Sequence, residues 1–333
     1  MEDQVRYIFS KGDLFQKDFS IDFKKDGKNI YIPVTNIKEL YLFNDCTITT
    51  KLLHTLGKQG IIIHFYDYYD NYTGSFFPKE QLLSGNLTVK QALFYEKNRL
   101  KIAKAIVQGI AINIHFILYH YYRHGTSELK DTLDFLKKEV PDLLKTSNYI
   151  KQILFIEGTI WMKFYDSFKL FLPEDFLINK RVRRPPDNPM NAMISFGNSI
   201  LYNKTITQIY NTHLNQTISF LHEPSEGRFS LCLDLSEIFK PLIVFRTIFE
   251  LVKNKKIKVE KHFDKNFNYA LLNEEGKKIF VEALDKRMSE TFQHPLLKRK
   301  ISYKQAIKLD GYKLIKQIIE GKEFVPFNEY EKR

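Results

Sequence analysis

The spacing of apolar residues changes once along this chain of 333 residues, near residue 80, and that change limits the folds open to it. Before it, short runs rich in Ile, Val, Phe and Tyr recur at 5–10, 18–24, 29–34, 39–43 and 60–66. Short alternating runs of this kind suit strands with one buried face. Gly12, Asp26-Gly27, Asn44-Asp45 and Gly74 separate them as turn residues. One short helical pattern, 50–59, interrupts the series, with Gly57 and Gly60 near its end. Beyond residue 88 the helical period takes over, at 91–108, 110–124, 128–139, 148–171, 191–221, 238–253, 276–290 and 303–319. Thr88 with Gln91 three residues on forms a capping-box pattern at its start. The expectation is a multidomain α and β chain. A small N-terminal β-sandwich-like domain (1–78) leads through a linker (79–87) to a larger all-α domain (88–333).

Composition narrows the function. Hydrophobic residues make up 44% of the chain and aromatic ones 14%, enough for a sizeable core. No apolar run reaches about 18 residues, so no membrane span is expected. The N-terminal M-E-D-Q-V-R-Y lacks the basic and apolar regions of a secretory signal. Cys46 and Cys232 lie far apart in apolar surroundings, which offers no disulfide framework and no thiolate metal site. A reducing, cytoplasmic location fits. Lys and Arg number 51 against 39 Asp and Glu, a net charge of +12. That excess favours a polyanionic partner, although charge alone does not separate DNA from RNA or an anionic membrane.

The chemistry gathers in the stretch 221–246, which holds His222 and then Asp234 and Glu237 three residues apart ahead of an apolar helical pattern. On a helix, residues i and i+3 share a face, so both carboxylates can address one spot. One imidazole with carboxylate oxygens is a hard, mixed ligand set that suits Mg²⁺ or Mn²⁺ better than a structural zinc. H-E-P-S-E at 222–226 is not a zinc-protease motif, because Glu226 stands at the second histidine position and Pro224 breaks the helix. Glu157 sits in the apolar pattern I-L-F-I-E-G-T-I-W-M, where a carboxylate needs a partner. It is open either as a third ligand or as one half of a buried salt bridge. His120 and His124, four apart on an aromatic helix, have no acid nearby in sequence and read as structural. The loop R-V-R-R-P-P-D-N-P offers Arg181, Arg183 and Arg184 for phosphate contacts. Asn191 and Ser195 on the helix that follows are further candidates for DNA binding.

Four motifs in this order resemble the CRISPR-associated family that integrates new spacers, the first-numbered Cas proteins. They are I-E-G at 156–158, R-R-P-P-D-N-P-M-N-A-M-I-S-F-G at 183–197, F-L-H-E at 220–223 and L-D-L-S-E-I-F-K-P-L at 233–242. The tail I-S-Y-K-Q-A-I-K-L-D-G-Y-K-L at 301–314 resembles that family's C-terminal helices. The resemblance implies a metal-dependent DNA endonuclease and integrase that inserts foreign fragments into a repeat array by 3′-hydroxyl attack. It implies Glu157, His222 and Glu237 as ligands of one Mg²⁺ or Mn²⁺, with Asp234 as a supporting catalytic acid. It also implies a homodimer formed through the β domain, double-stranded DNA and the CRISPR repeat as substrates, and the second-numbered Cas protein as partner. The rival reading is a divalent-metal nuclease of repair or recombination without spacer capture.

Overall fold

The computed structural model describes residues 4–35, 37–78, 83–183, 185–224, 229–266 and 269–332, with backbone alone at Gln4, Lys265, Asn266, Tyr269, Glu331 and Lys332. The chain divides into two compact units, Met1–Gln81 and Leu82–Arg333.

The first unit holds two four-stranded sheets. One has the order β1 (Gln4–Ile8), β5 (Ile37–Leu42), β7 (Ile62–Tyr66), β8 (Tyr72–Phe76); the other runs β4 (Lys28–Pro33), β3 (Ser20–Lys25), β2 (Gly12–Lys17), β6 (Cys46–Ile48). β1, β5 and β7 are parallel, as are β2 and β6, and the remaining pairs are antiparallel. Leu40 and Ile63 from the first sheet meet Leu14, Ile21 and Phe23 from the second, with Leu52 and Leu56 of α1 (Thr50–Lys58) beside them. Asp26 and Gly27 both take positive φ, 48° and 74°, which is what a two-residue hairpin turn demands. Three strands went unforeseen. β8 contains Gly74, which composition marks as a turn, β6 is only three residues long, and β2 has no apolar alternation.

The second unit is mainly helical but not all-α. It comprises α2 (Gly85–Arg123), α3 (Lys130–Asp134), α4 (Val140–Thr146), α5 (Ile150–Asp166), α6 (Pro189–Tyr210), α7 (Ser230–Lys240), α8 (Arg246–Lys253), α9 (Val259–His262), α10 (Glu274–Ser289) and α11 (Tyr303–Glu320). Two antiparallel ribbons join them, β9 (Phe263–Asn266) with β10 (Tyr269–Leu272) and β11 (Thr291–Gln293) with β12 (Lys300–Ser302). Ser84, not Thr88, caps α2, accepting from the Leu87 amide at 3.3 Å. Nor does α2 break at Gly109. The missing Cβ there admits Pro326, whose own Cβ would lie 2.9 Å from it. The continuous helix contains a window apolar enough to cross a membrane, contrary to the sequence expectation, yet most of that window is buried inside the protein. Asn113 marks it as a core helix: its amide donates to the carbonyls of Ile238 and Phe327 and accepts from the Glu329 amide. α6 is buried on nearly every side and packs against α7 and α11, while α2 lies against α5 and α7. α6 stops at Tyr210, eleven residues before the expected end, which frees the loop 211–224 that carries His222.

Candidate active site

Asp234 is the anchor of the site. It is fully buried on α7, and its carboxylate accepts four hydrogen bonds. Three come from the loop backbone: Phe220 and Leu221 donate to Oδ2 at 2.6 and 2.8 Å, and His222 donates to Oδ1 at 3.0 Å. The fourth comes from His222 Nδ1 at 2.8 Å. An ionised carboxylate only accepts, so Nδ1 carries the proton and the Nε2 lone pair is left for a ligand. From the other side Arg99 of α2 donates to the Phe220 carbonyl at 3.0 Å and pairs with Glu223 at 2.8 Å. Gln91, about two turns nearer the start of α2 than Arg99, donates to the carbonyls of Asn215 and Ile218 and accepts from the Asn215 amide. The loop is therefore clamped at both its amides and its carbonyls.

Glu157 on α5 and Glu237 on α7 are brought into the same electrostatic neighbourhood. Burial first, and then the charge of Glu237, raise the Glu157 carboxyl to about 7, while Lys240, His222 and a hydrogen bond from the Trp161 indole pull it down. For His222, burial lowers the imidazolium pKa, but the Asp234 hydrogen bond and the charges of Asp234, Glu237 and Glu157 outweigh it, and the net shift is upward. Lys240, one turn after Glu237, forms a close ion pair with it. Among the described residues no three His, Cys, Asp or Glu side chains are already closed around one point at ligating distance. Lys240 instead supplies the positive charge beside the acids.

The donors nevertheless fit a hard divalent cation. They comprise one imidazole nitrogen held in the ligating tautomer and two carboxylates whose mutual repulsion a cation would relieve. Gly158, next to Glu157, is exposed and a Cβ there would meet nothing within 4 Å among the described residues.

The arginine loop is tied into the fold. Arg181 donates to Val182 O, to Asn191 Oδ1 at 3.1 Å and to Ser195 Oγ at 2.9 Å, and it hydrogen-bonds Tyr165. Asn191, fully buried, donates to Lys180 O at 2.9 Å and Asp187 Oδ1 at 2.7 Å. These three candidate residues thus fasten the loop through hydrogen bonds within the fold. Arg183 is exposed, and its charge is felt at Tyr165 together with those of Glu237 and Glu157. Arg184 lies outside the described residues. Sequence reasoning missed Lys240, Trp161, Tyr165 and Arg99. The first two could have been found from helical spacing, at i+3 from Glu237 and i+4 from Glu157. His120 and His124, read as structural from the sequence, are both exposed, with ring centroids 4.3 Å apart and His124 Nδ1 bonded to the His120 carbonyl.

The family model described as CRISPR associated protein Cas1 matches residues 6–286. A CRISPR-associated protein Cas1 of Methanobrevibacter ruminantium is 44% identical over 324 residues, covering 96% of this chain and 97% of its own. A CRISPR-associated endonuclease Cas1 of Methanothermobacter thermautotrophicus is 42% identical, with 96% and 93% covered. Among solved structures, TM1797, a Cas1 protein from Thermotoga maritima, superimposes with a TM-score of 0.84 at 34% identity, covering 98% of this chain and all of that one.

Proposed function

Because this chain belongs to the family of CRISPR-associated Cas1 proteins, we propose that it is a DNA endonuclease and integrase that joins captured fragments to a repeat array. The observation that carries the site assignment is the His222–Asp234 pair, set beside two carboxylates that repel each other. In the reaction, the 3′-hydroxyl oxygen of a fragment forms a new bond to a backbone phosphorus. The old P–O3′ bond breaks, and the released 3′ oxygen takes up a proton, so the number of phosphodiesters is conserved. Water in place of the fragment hydroxyl gives plain cleavage.

Glu157, His222 through Nε2, and Glu237 would hold one Mg²⁺ or Mn²⁺, which supplies Lewis-acid stabilisation of charge on the non-bridging oxygens. Asp234 orients the imidazole and holds the loop through the four hydrogen bonds it accepts; its role is positional. Lys240 forms a close ion pair with Glu237. Arg183 holds a phosphate of the substrate from the loop that Arg181, Asn191 and Ser195 keep in place. The likeness to the family supports a homodimer formed through the β unit, duplex DNA and the repeat as substrates, the second-numbered Cas protein as partner, and action in the cytoplasm.

The test is half-site integration of a labelled fragment into a repeat-bearing plasmid, with and without the partner protein. Glu157→Ala, His222→Ala and Glu237→Ala should each abolish cation-dependent strand transfer and leave the circular dichroism spectrum unchanged. Full transfer by any two of them would refute the assignment.

A further inference from the structure

The C-terminal end of α2, α8 and Arg287 of α10 enclose a cavity of about 740 Å³. It is separate from the His222 loop. α2 touches that loop through Arg99 and enters the cavity wall only from Phe116 onward, roughly 25 Å further along the axis at about 1.5 Å per residue.

Its wall is unevenly charged. Arg123, Arg246, Lys253 and Arg287 line it, against Glu250 as the one carboxylate among the lining residues. Glu250 is already bound to Arg287 at 2.5 Å, and Arg287 also reaches Glu290 at 2.9 Å. Arg246 is tied to Glu329 at 3.1 Å. Arg123 and Lys253 are exposed and pair with no acid among the described residues. Arg287 is buried, and its Nε meets no acceptor among the described residues. Beside these cations stand the rings of Phe116, Tyr119 and Phe249. Guanidinium and ammonium groups without an acid partner favour a phosphate, and aromatic faces accept a planar base. The volume lies in the range of pockets that enclose a small organic ligand and far exceeds what a bare phosphate would fill.

We propose that this cavity is a second binding site, for a nucleoside phosphate, taken either as a free nucleotide or as one nucleotide of a single-stranded DNA end. Arg123 and Lys253 hold the phosphate at the rim, and the base lies against the aromatic wall. The site does not depend on the catalytic reading, since it needs neither the cation nor His222.

Fluorescence polarisation on the full-length protein in EDTA tests it, with labelled dAMP and a labelled oligo-dT as probes and inorganic phosphate as competitor. The double variant Arg123→Ala/Lys253→Ala should weaken at least one probe on the order of tenfold. Both side chains are exposed, so the fold should survive. Lys130→Ala/Lys151→Ala removes the same charge from exposed positions elsewhere and should leave affinity within about twofold. Weakening of dAMP assigns the free nucleotide; weakening of the oligonucleotide alone assigns the strand end. Equal weakening by both double variants, no weakening by either, or inorganic phosphate competing as well as dAMP would overturn the proposal.

Discussion

Asp234 shows how much one side chain can organise. Its two oxygens hold three consecutive loop amides and an imidazole, so a change to Asn removes the charge and turns one acceptor into a donor. Asp234→Asn should destabilise the fold by about 2–3 kcal/mol in urea melts, because buried amides lose a charged acceptor. It should also weaken divalent-ion binding by roughly 10- to 100-fold, the usual effect of losing a carboxylate behind a ligating histidine. Isothermal titration with Mn²⁺ reads the second effect. Glu157 makes a different prediction. Its folded pKa, about 7, lies above the ordinary 4.5, so the folded protein binds that proton more tightly than the unfolded chain. This stabilising contribution is fully present below 4.5 and is lost as pH rises through 7. Thermal melts of the metal-free protein should therefore fall across that window, by at most about 3 kcal/mol, and Glu157→Gln should flatten the slope. A divalent cation favours the ionised carboxyl and should reverse the trend.

At the scale of elements, placement comes from close approaches and interrupted helices. α7 and α8 are joined through a wide, π-type turn, Pro241–Phe245, that starts at the proline, whose nitrogen has no hydrogen to donate. The helix expected at 238–253 already runs through this proline; what spacing along the chain does not show is the wide turn there. Gly197 on α6 is a second case. A Cβ there would come within 2.6 Å of Val244 Cγ1 and 2.9 Å of Phe280 Cζ. Gly197→Ala should cost about 1–3 kcal/mol of stability by overpacking, measured by denaturant unfolding, with the loss falling on the packing of α6 against the wide turn and α10. The end of α6 at Tyr210 was hidden for a related reason. Residues 211–221 include enough apolar side chains to continue a helical pattern, but the loop's polar backbone is satisfied by Gln91, Arg99 and Asp234 from other helices. Such partners are not visible along the chain.

For the whole molecule, the excess of 51 basic over 39 acidic residues is the property that brings a polyanion near. Within the loop the arginines are placed differently. Arg181 is committed to its own loop, and Arg183 is exposed. Arg183→Ala should weaken duplex binding and reduce the slope of log affinity against log salt by about one, with the same effect on every sequence tested. An unchanged slope would place the loop away from DNA.

Local order was written in the sequence itself: the switch from alternating to helical spacing, the Asp26-Gly27 turn, and the residue types capable of metal and phosphate chemistry. These follow from interactions between near neighbours, which spacing reports directly. The approach of residue 157 to residues 222 and 237, the burial of Asn191 and the tautomer of His222 were decided only by the tertiary structure. Each depends on which helix faces meet, and that is set by many weak contacts between distant segments rather than by any one stretch of chain.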